Sequence, residues 1–310
     1  MTGDLERAYE ILHHRCGERA RTAFPLAPLT TLRVGGAAAL FLEPESDGDL
    51  VSAAEAVADT GIPSMVLGKG SNLLVSDAGF DGLVLRLGHG YRWAARDGDR
   101  LSAGGAMPLP ALAGVALSHA LAGLEWGVAI PASLGGAVRM NAGAHGGEMA
   151  DILETIDVFE PGRGEAVTVR AEDAGFSYRD SRLPRDGIVT RATVRLATGD
   201  ADEIRAGMDE VREWRRVHQP LAEPNCGSVF KNPPGDFAAR LIEAAGLKGM
   251  ALGGVTVSTK HSNFIVTSES ARAADVVALI RAVQETVMTR FDIHLEPEVR
   301  LVGRFDQVPY

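Results

Sequence analysis

Two glycine-rich stretches limit most strongly what this chain can fold into. The first, Leu67-Gly68-Lys69-Gly70-Ser71-Asn72-Leu73-Leu74, follows directly on the apolar segment Met65-Val66-Leu67; the second runs from Ile130 to Gly147 and reads IPASLGGAVRMNAGAHGG. Neither is a standard nucleotide fingerprint. Gly68-Lys69-Gly70 opens like G-x-G-x-x-G, but Leu73 occupies the place of the third glycine, and Lys69 is followed by Gly70 where a P-loop has Ser or Thr. A Rossmann or P-loop reading is therefore weak. Both stretches nevertheless offer backbone N–H groups with little side chain in the way, able to approach a pyrophosphate closely. Two such stretches point to a large, extended ligand.

A chain of 310 residues is long enough for two domains, or for one large one, with a real core in either case. No segment approaches the roughly 18 apolar residues that span a bilayer. The N-terminal MTGDLERAYEILHHRCGERA mixes acidic, basic and apolar residues without a signal core. Cys16 and Cys226 are far apart in sequence, so reduced thiols and a cytoplasmic location are expected. The net charge of −10 argues against nucleic-acid or anionic-membrane partners. It leaves room for a local cationic cluster: Arg212, Arg215 and Arg216 share one face of an expected helix, either as an anion site or as a solvated face paired with Glu210 and Glu213. The eight histidines show no metal-ligand spacing, so no metal is expected.

Hydrophobic spacing predicts a helix from Asp4 to about Arg21, a strand over Ala37 to Leu42, a helix over Asp47 to Asp59 ending near Gly61, and a strand at Met65-Val66-Leu67. The first glycine loop thus follows a strand. Leu83 to Leu87 reads as a strand and Leu109 to Leu121 as a helix stopped by Gly123. Leu153 to Phe159 and Ala166 to Val169 form a hairpin about Pro161-Gly162-Arg163-Gly164, and Ile188 to Leu196 is a further strand. A boundary is expected over 197–202, then helices at Glu203 to Val217, Asp236 to Ala245 and Ala271 to Arg290, with strands near Val255, Phe264 to Val266 and Glu298 to Val302.

Three short segments carry candidate chemistry. Asn225-Cys226-Gly227-Ser228-Val229-Phe230-Lys231-Asn232-Pro233 is bounded by prolines and could hold the Ser228 hydroxyl as a proton donor; on residue statistics alone Ser228 reads first as a turn or capping residue. It is not in a G-x-S-x-G elbow and no triad is identifiable. Cys226 reads as a buried small residue. Ser177-Tyr178-Arg179-Asp180-Ser181 offers Arg179 either as an ion-pair partner of Asp180 or as a clamp for a substrate carboxylate. Glu298, in Leu295-Glu296-Pro297-Glu298-Val299-Arg300, could exchange protons if it faces a cavity.

Taken together, LGKGSNLL at 67–74, PASLGGAVRMNAGAHG at 131–146, SYRDS at 177–181, NCGSVFKNP at 225–233 and LEPEVR at 295–300 resemble the UDP-N-acetylenolpyruvoylglucosamine reductase family, in the family's order and over nearly the whole chain. The resemblance implies an α+β fold: an N-terminal helix (1–26), an FAD-binding PCMH-type, vanillyl-alcohol-oxidase-like domain (27–198), and a smaller C-terminal α/β substrate domain (199–310) whose last strand returns to the flavin lobe. It implies a flavoenzyme of peptidoglycan precursor synthesis with noncovalent FAD, NADPH as reductant and a UDP-sugar substrate, the enolpyruvyl ether being reduced to the UDP-N-acetylmuramate product. Carried over by position, Arg179 and Glu298 would stabilise the enol-like intermediate and Ser228 would protonate C2. Tyr178 and Asn232 would lie near the substrate. Gly68, Lys69, Gly70, Ser71 and Asn72 would hold the FAD pyrophosphate, with Ser133, Gly135, Gly136, Ala142 and Gly143 along the cofactor.

Ala132 stands where the family's second loop often has Gly, and Arg139 and His145 stand where it often has aromatics. The inserted Tyr-bearing loop of one branch is missing, which makes this the shorter branch. Two other readings compete: an oxidase of the same fold, and a sugar-nucleotide sensor without catalysis. The oxidases often attach FAD through a His in the first glycine loop, and none lies between Gly68 and Leu74. A sensor has no use for the combination of Arg179, Ser228 and Glu298.

Overall fold

The computed structural model describes residues 3–305, which divide into two compact units of discontinuous sequence. The first comprises 3–23, 39–69 and 82–214; the second comprises 24–38, 70–81 and 215–305. Helices and strands are mixed in both, as an α+β fold requires.

In the first unit a five-stranded antiparallel sheet runs in the order Glu165–Arg170, Leu153–Glu160, Ile188–Arg195, Arg100–Gly104, Ala94–Asp97. The expected hairpin is its outer pair, with Glu160 opposite Glu165 and Gly164 turning the chain at φ +69°. Ile156, Val158, Ala192 and Val194 point to one face, where Leu112, Leu134 and Val138 from the helices Leu109–Ser118 and Leu134–Arg139 join them in a buried core. Each large aliphatic side chain buried there contributes about 1.5–3 kcal/mol. A four-stranded sheet, ordered Ala20–Pro25, Ala37–Leu42, Phe80–Leu85, Ser64–Val66, ends in a parallel pair with Ser64 opposite Leu83. Leu5, Leu12, Leu50 and Ala53 of the helices Gly3–Cys16 and Asp47–Thr60 build the core beside it. Asp47–Thr60 starts where it does because Ser46 and Asp49 form a capping box, and stops at Gly61, φ +68°.

Two helices are shorter than the sequence suggests. Gly3–Cys16 ends because Gly17 takes φ +61°, and Ala20–Pro25 is drawn into the sheet. Leu109–Ser118 ends well before Gly123: Ala120 turns the chain at φ +53°, and Leu121–Ala122 pairs with Ala197–Thr198. In both cases strand pairing overrides local helix propensity.

The second unit holds a three-stranded antiparallel sheet, Ala251–Leu252, Val255–Val257 and Ile265–Thr267, with the helices Ala238–Ala244 and Ala273–Phe291. Val276, Ile280, Val283 and Val287 recur at helical spacing and lie in its core with Leu32, Val34 and Leu74. The Asp77 carboxylate accepts the Ala273 and Ala274 N–H groups at 2.8 and 3.0 Å, capping the long helix. The last strand, Arg300–Val302, pairs in parallel with Leu73–Val75, directly after the first glycine loop. Cuts at residues 26 and 198 therefore differ from the compact units. Residues 70–81 belong with the C-terminal part, whereas Ile204, Met208 and Val211 of the helix Ala201–His218 lie in the first unit's core. Among the described residues no helix is long and apolar enough to cross a membrane.

Candidate functional site

The first glycine loop is fixed at both ends. Leu67 N–H donates to Leu85 O at 2.7 Å, prolonging the parallel pair before the loop, and Arg300 N–H donates to Asn72 O at 3.0 Å where the next pair begins. Inside it, Gly70 has φ +63°, and a Cβ there would stand 2.4 Å from Leu29 O. Only glycine fits this approach. Thr31 N–H donates to Gly70 O at 3.1 Å. Between these anchors the N–H groups of Gly68, Lys69, Gly70, Ser71 and Asn72 donate to no acceptor among the described residues. The Lys69 ammonium is held below its ordinary pKa by burial and then by the positive charges of Arg92 and Arg86. A run of unengaged N–H donors in a cationic surrounding is the donor set that a pyrophosphate needs, so the loop fits FAD.

The second stretch is built differently. Ser133 caps the six-residue helix Leu134–Arg139, its Oγ accepting Gly136 N–H at 3.4 Å. Leu134 and Gly135 N–H donate to Met107 O and Gly105 O at 2.8 and 2.9 Å, and Ala142 N–H donates to Ala137 O at 2.8 Å. Its donors are thus largely engaged within the protein. Its glycines serve close packing: a Cβ on Gly135 would stand 3.0 Å from Val189 O, and one on Gly143 would stand 2.6 Å from Glu148 Cβ. The two stretches meet at Gly68, whose Cβ position lies 2.7 Å from Ser133 Oγ. Arg139 donates to Leu183 O and Pro184 O at 3.0 and 2.7 Å, and the His145 ring meets Trp214 edge-on at 5.0 Å.

Arg179 sits in a tight turn of the same unit. Ser177 and Asp180 exchange backbone hydrogen bonds of 3.1 and 3.2 Å, leaving Tyr178 and Arg179 at the tip. Arg179 has φ +57°, a region that a long side chain enters only under constraint. Its guanidinium donates to Gly143 O at 2.8 Å and to Asn141 O at 3.4 Å, and it stands 5.0 Å from the ring centre of the exposed Tyr178.

Ser228 and Glu298 belong to the second unit. The loop 226–232 is pinned from two sides. Asn263 accepts Val229 N–H at its carbonyl (2.9 Å) and Phe230 N–H at Oδ1 (3.0 Å), and donates from Nδ2 to Phe230 O (2.8 Å). On the other side Glu298 N–H donates to Val229 O at 2.7 Å, and Lys231 N–H to Glu296 O at 2.9 Å. Asn225 Oδ1 accepts Gly227 N–H at 3.0 Å, and Gly227 turns at φ +76°. Ser228 Oγ itself engages no partner among the described residues. Asn72 Nδ2 donates to Glu298 O at 3.0 Å, which ties the first glycine loop to the Glu298 segment. Burial pushes the Cys226 thiol up to about 12, with the Glu298 charge acting in the same direction. It is an inert core residue, as its sequence setting suggests.

Asn232 Oδ1 accepts Ala238 N–H at 3.1 Å at the start of the helix Ala238–Ala244, a local structural bond. Arg212 pairs with Asp209 at 2.7 Å and Arg215 with Gln219 at 2.8 Å. Sequence reasoning missed Asn141 and Asn263. The only cue for Asn141 was an Asn just past the end of a short helix, where left-handed backbone is common.

Comparison with known proteins follows the same division. Residues 38–170 match the FAD binding domain family, and 219–302 match the family described as UDP-N-acetylenolpyruvoylglucosamine reductase, C-terminal domain. The chain is 47% identical over 281 residues to the UDP-N-acetylenolpyruvoylglucosamine reductase of Heliobacterium modesticaldum, covering 90% of this chain and 89% of that protein. Against the reductase of an Anaeromyxobacter species it is 45% identical over 303 residues, 98% and 94% of the two chains. The crystal structure of UDP-N-acetylenolpyruvylglucosamine reductase from Thermus caldophilus superposes with a TM-score of 0.79 at 40% identity, covering 90% of this chain and 97% of that one. Similarity of this degree, continuous over an FAD binding domain and the reductase C-terminal domain, means that the chain belongs to the UDP-N-acetylenolpyruvoylglucosamine reductase family of FAD-containing oxidoreductases.

Proposed function

We propose that the chain works in the cytoplasm and reduces the enolpyruvyl ether of UDP-N-acetylenolpyruvoylglucosamine to the lactyl ether of UDP-N-acetylmuramate, with NADPH as the electron source. The observation that carries this reading is Ser228: an unengaged hydroxyl on a loop pinned by Asn263 and by the Glu296–Glu298 segment. A turn residue needs no such fixation, whereas a proton donor must be held at one point.

FAD, when bound, would supply the redox chemistry, the transfer of a hydride originating from NADPH to C3 of the enolpyruvyl group. Gly68, Lys69, Gly70, Ser71 and Asn72 would hold its pyrophosphate with their backbone donors, and Ser133, Gly135, Gly136, Ala142 and Gly143 would contribute to the rest of the cofactor site. Negative charge then grows on C2 and the neighbouring carboxylate. Arg179 meets that charge with its guanidinium, and Glu298 supports the same enol-like species through hydrogen bonding. Ser228 delivers its proton to C2, which completes addition across the double bond and leaves both atoms saturated. Tyr178 and Asn232 contact the substrate.

Replacing Ser228 with alanine tests the assignment, because the hydroxyl acts in only one half-reaction. Rapid mixing with NADPH should bleach the flavin of Ser228→Ala at nearly the wild-type rate, while reoxidation by the enolpyruvyl substrate should slow by about 10²- to 10⁴-fold. Normal reoxidation would remove Ser228 from the mechanism.

A further inference from the structure

Asn141 is fully buried, at 0% exposure, and lies at φ +40° just beyond the helix Leu134–Arg139. Its backbone N–H donates to Val138 O at 3.1 Å, and its other three polar groups point to two different segments. Oδ1 accepts Ala150 N–H at 2.9 Å, in the first turn of the helix Met149–Ile152. Nδ2 donates to Ser177 O at 3.1 Å, the same carbonyl that receives Asp180 N–H and closes the Arg179 turn. Its backbone carbonyl accepts the Arg179 guanidinium at 3.4 Å. One residue therefore holds the base of the turn with its side chain and the tip of the arginine with its backbone.

We infer that Asn141 is a positioning residue for Arg179: it fixes the strained turn so that the guanidinium is aimed before the substrate's charge develops. This rests on the role proposed above for Arg179. The residue type follows from the two demands made on it. Asn tolerates left-handed backbone better than other side-chain-bearing residues, and its amide is at once donor and acceptor. Glycine would satisfy the backbone without the bonds. Leucine or alanine would satisfy neither. Arg179 at φ +57° has no such tolerance of its own and keeps that conformation only because its surroundings impose it.

Asn141→Gly keeps the left-handed backbone and the carbonyl facing Arg179 and removes only the amide. In a double-mutant cycle with Arg179→Lys, Asn141→Gly alone should slow flavin reoxidation by substrate about tenfold or more, with KM changed less than about threefold and NADPH reduction unaffected. In the Arg179→Lys background it should cost less than about twofold. Hydrogen exchange supplies a readout independent of activity: the Asp180 amide of Asn141→Gly should exchange about tenfold faster, while the amides of the five-stranded sheet keep their protection. If the losses multiply, Asn141 does not act through Arg179 and the inference fails, while the large effect of Arg179→Lys by itself leaves the proposed function standing. If Arg179→Lys alone is silent, the reading of Arg179 fails first and takes this one with it. Should Asn141→Gly not accumulate as folded protein, Asn141→Ser, which stays neutral but is too short to reach both Ala150 and Ser177, goes through the same cycle with the same expected and refuting results.

Discussion

Alanine at Gly70 and at Gly68 should have very different effects, although the two glycines are two residues apart. At φ +63° an alanine costs about 1 kcal/mol more than glycine. Its Cβ would also stand 2.4 Å from Leu29 O and 2.8 Å from Thr30 Cα, where ordinary contact is 3.4–4 Å. Both neighbours are backbone, so the loop must move by about 1 Å, an overpacking cost of about 1–3 kcal/mol. The movement also stretches the 3.1 Å bond from Thr31 N–H to Gly70 O, about 1 kcal/mol more. The sum for Gly70→Ala is roughly 3–5 kcal/mol. At Gly68 the obstacle is Ser133 Oγ at 2.7 Å, which can rotate away at the cost of its cap on Gly136, about 1 kcal/mol.

Flavin fluorescence titration of apoprotein and thermal unfolding would measure both terms. Since 1.4 kcal/mol is tenfold in affinity, Gly70→Ala should weaken FAD binding by about 100-fold or more and Gly68→Ala by about fivefold. FAD binding of Gly70→Ala within about threefold of wild type, with an unchanged unfolding temperature, would refute the close packing of Gly70 on Leu29 and Thr30. A lowered unfolding temperature with unchanged FAD affinity would make the loop a packing element and refute its role as the pyrophosphate cradle.

Arg179→Lys keeps the charge but loses the fork that reaches two carbonyls, so turnover should fall by about 10²- to 10³-fold while KM changes little; a change confined to KM would show uniform binding instead. Asn263→Ala removes two buried bonds to Phe230, about 2–4 kcal/mol of stability, and should slow reoxidation by substrate while NADPH still bleaches the flavin at the wild-type rate. Burial opposes ionisation of Asp49, but Arg19 and the Glu45 N–H together outweigh it and hold the carboxyl below its ordinary value. Its stabilisation is therefore full above the unfolded-state pKa of about 4 and is lost as pH falls through the folded value. The unfolding-temperature gap between wild type and Asp49→Asn should accordingly be widest at neutral pH and close in acid; a gap that is constant with pH would show that the carboxylate charge contributes nothing.

The secondary elements of the first unit were legible because their spacing is regular: the 153–169 hairpin and the capped Asp47–Thr60 helix lie where alternation and capping chemistry put them. The helix ends at Cys16 and Ser118 were not, since pairing with distant strands stopped them. Nor was the composition of the second unit, which depends on Leu73–Val75 meeting Arg300–Val302 across most of the chain. Likewise, sequence alone treated the two glycine stretches as equivalent donors. The first has unengaged N–H groups, but the second uses its own in capping a short helix and in bonds to Gly105 and Met107, and only the fold reveals that difference.

The side chains that hold the candidate groups by bonding to backbone include three uncharged amides. Asn141 holds the Arg179 turn, Asn263 the Ser228 loop, and Asn72 the Glu298 segment, each through an amide that bonds to backbone. An amide can donate and accept at once, so one side chain fixes a loop from both sides without adding charge. A lysine could only donate and an aspartate only accept in the same place, and the field of either would act on any charge developing nearby. If the chain reduces an enolpyruvyl carboxylate, such a field would compete with Arg179 for the growing negative charge or repel it. Neutral fixation adds no such competing field at this turn. The carbonyls of Asn141 and Gly143 that accept from Arg179 act in the same way: they orient a guanidinium without adding an opposite charge of their own.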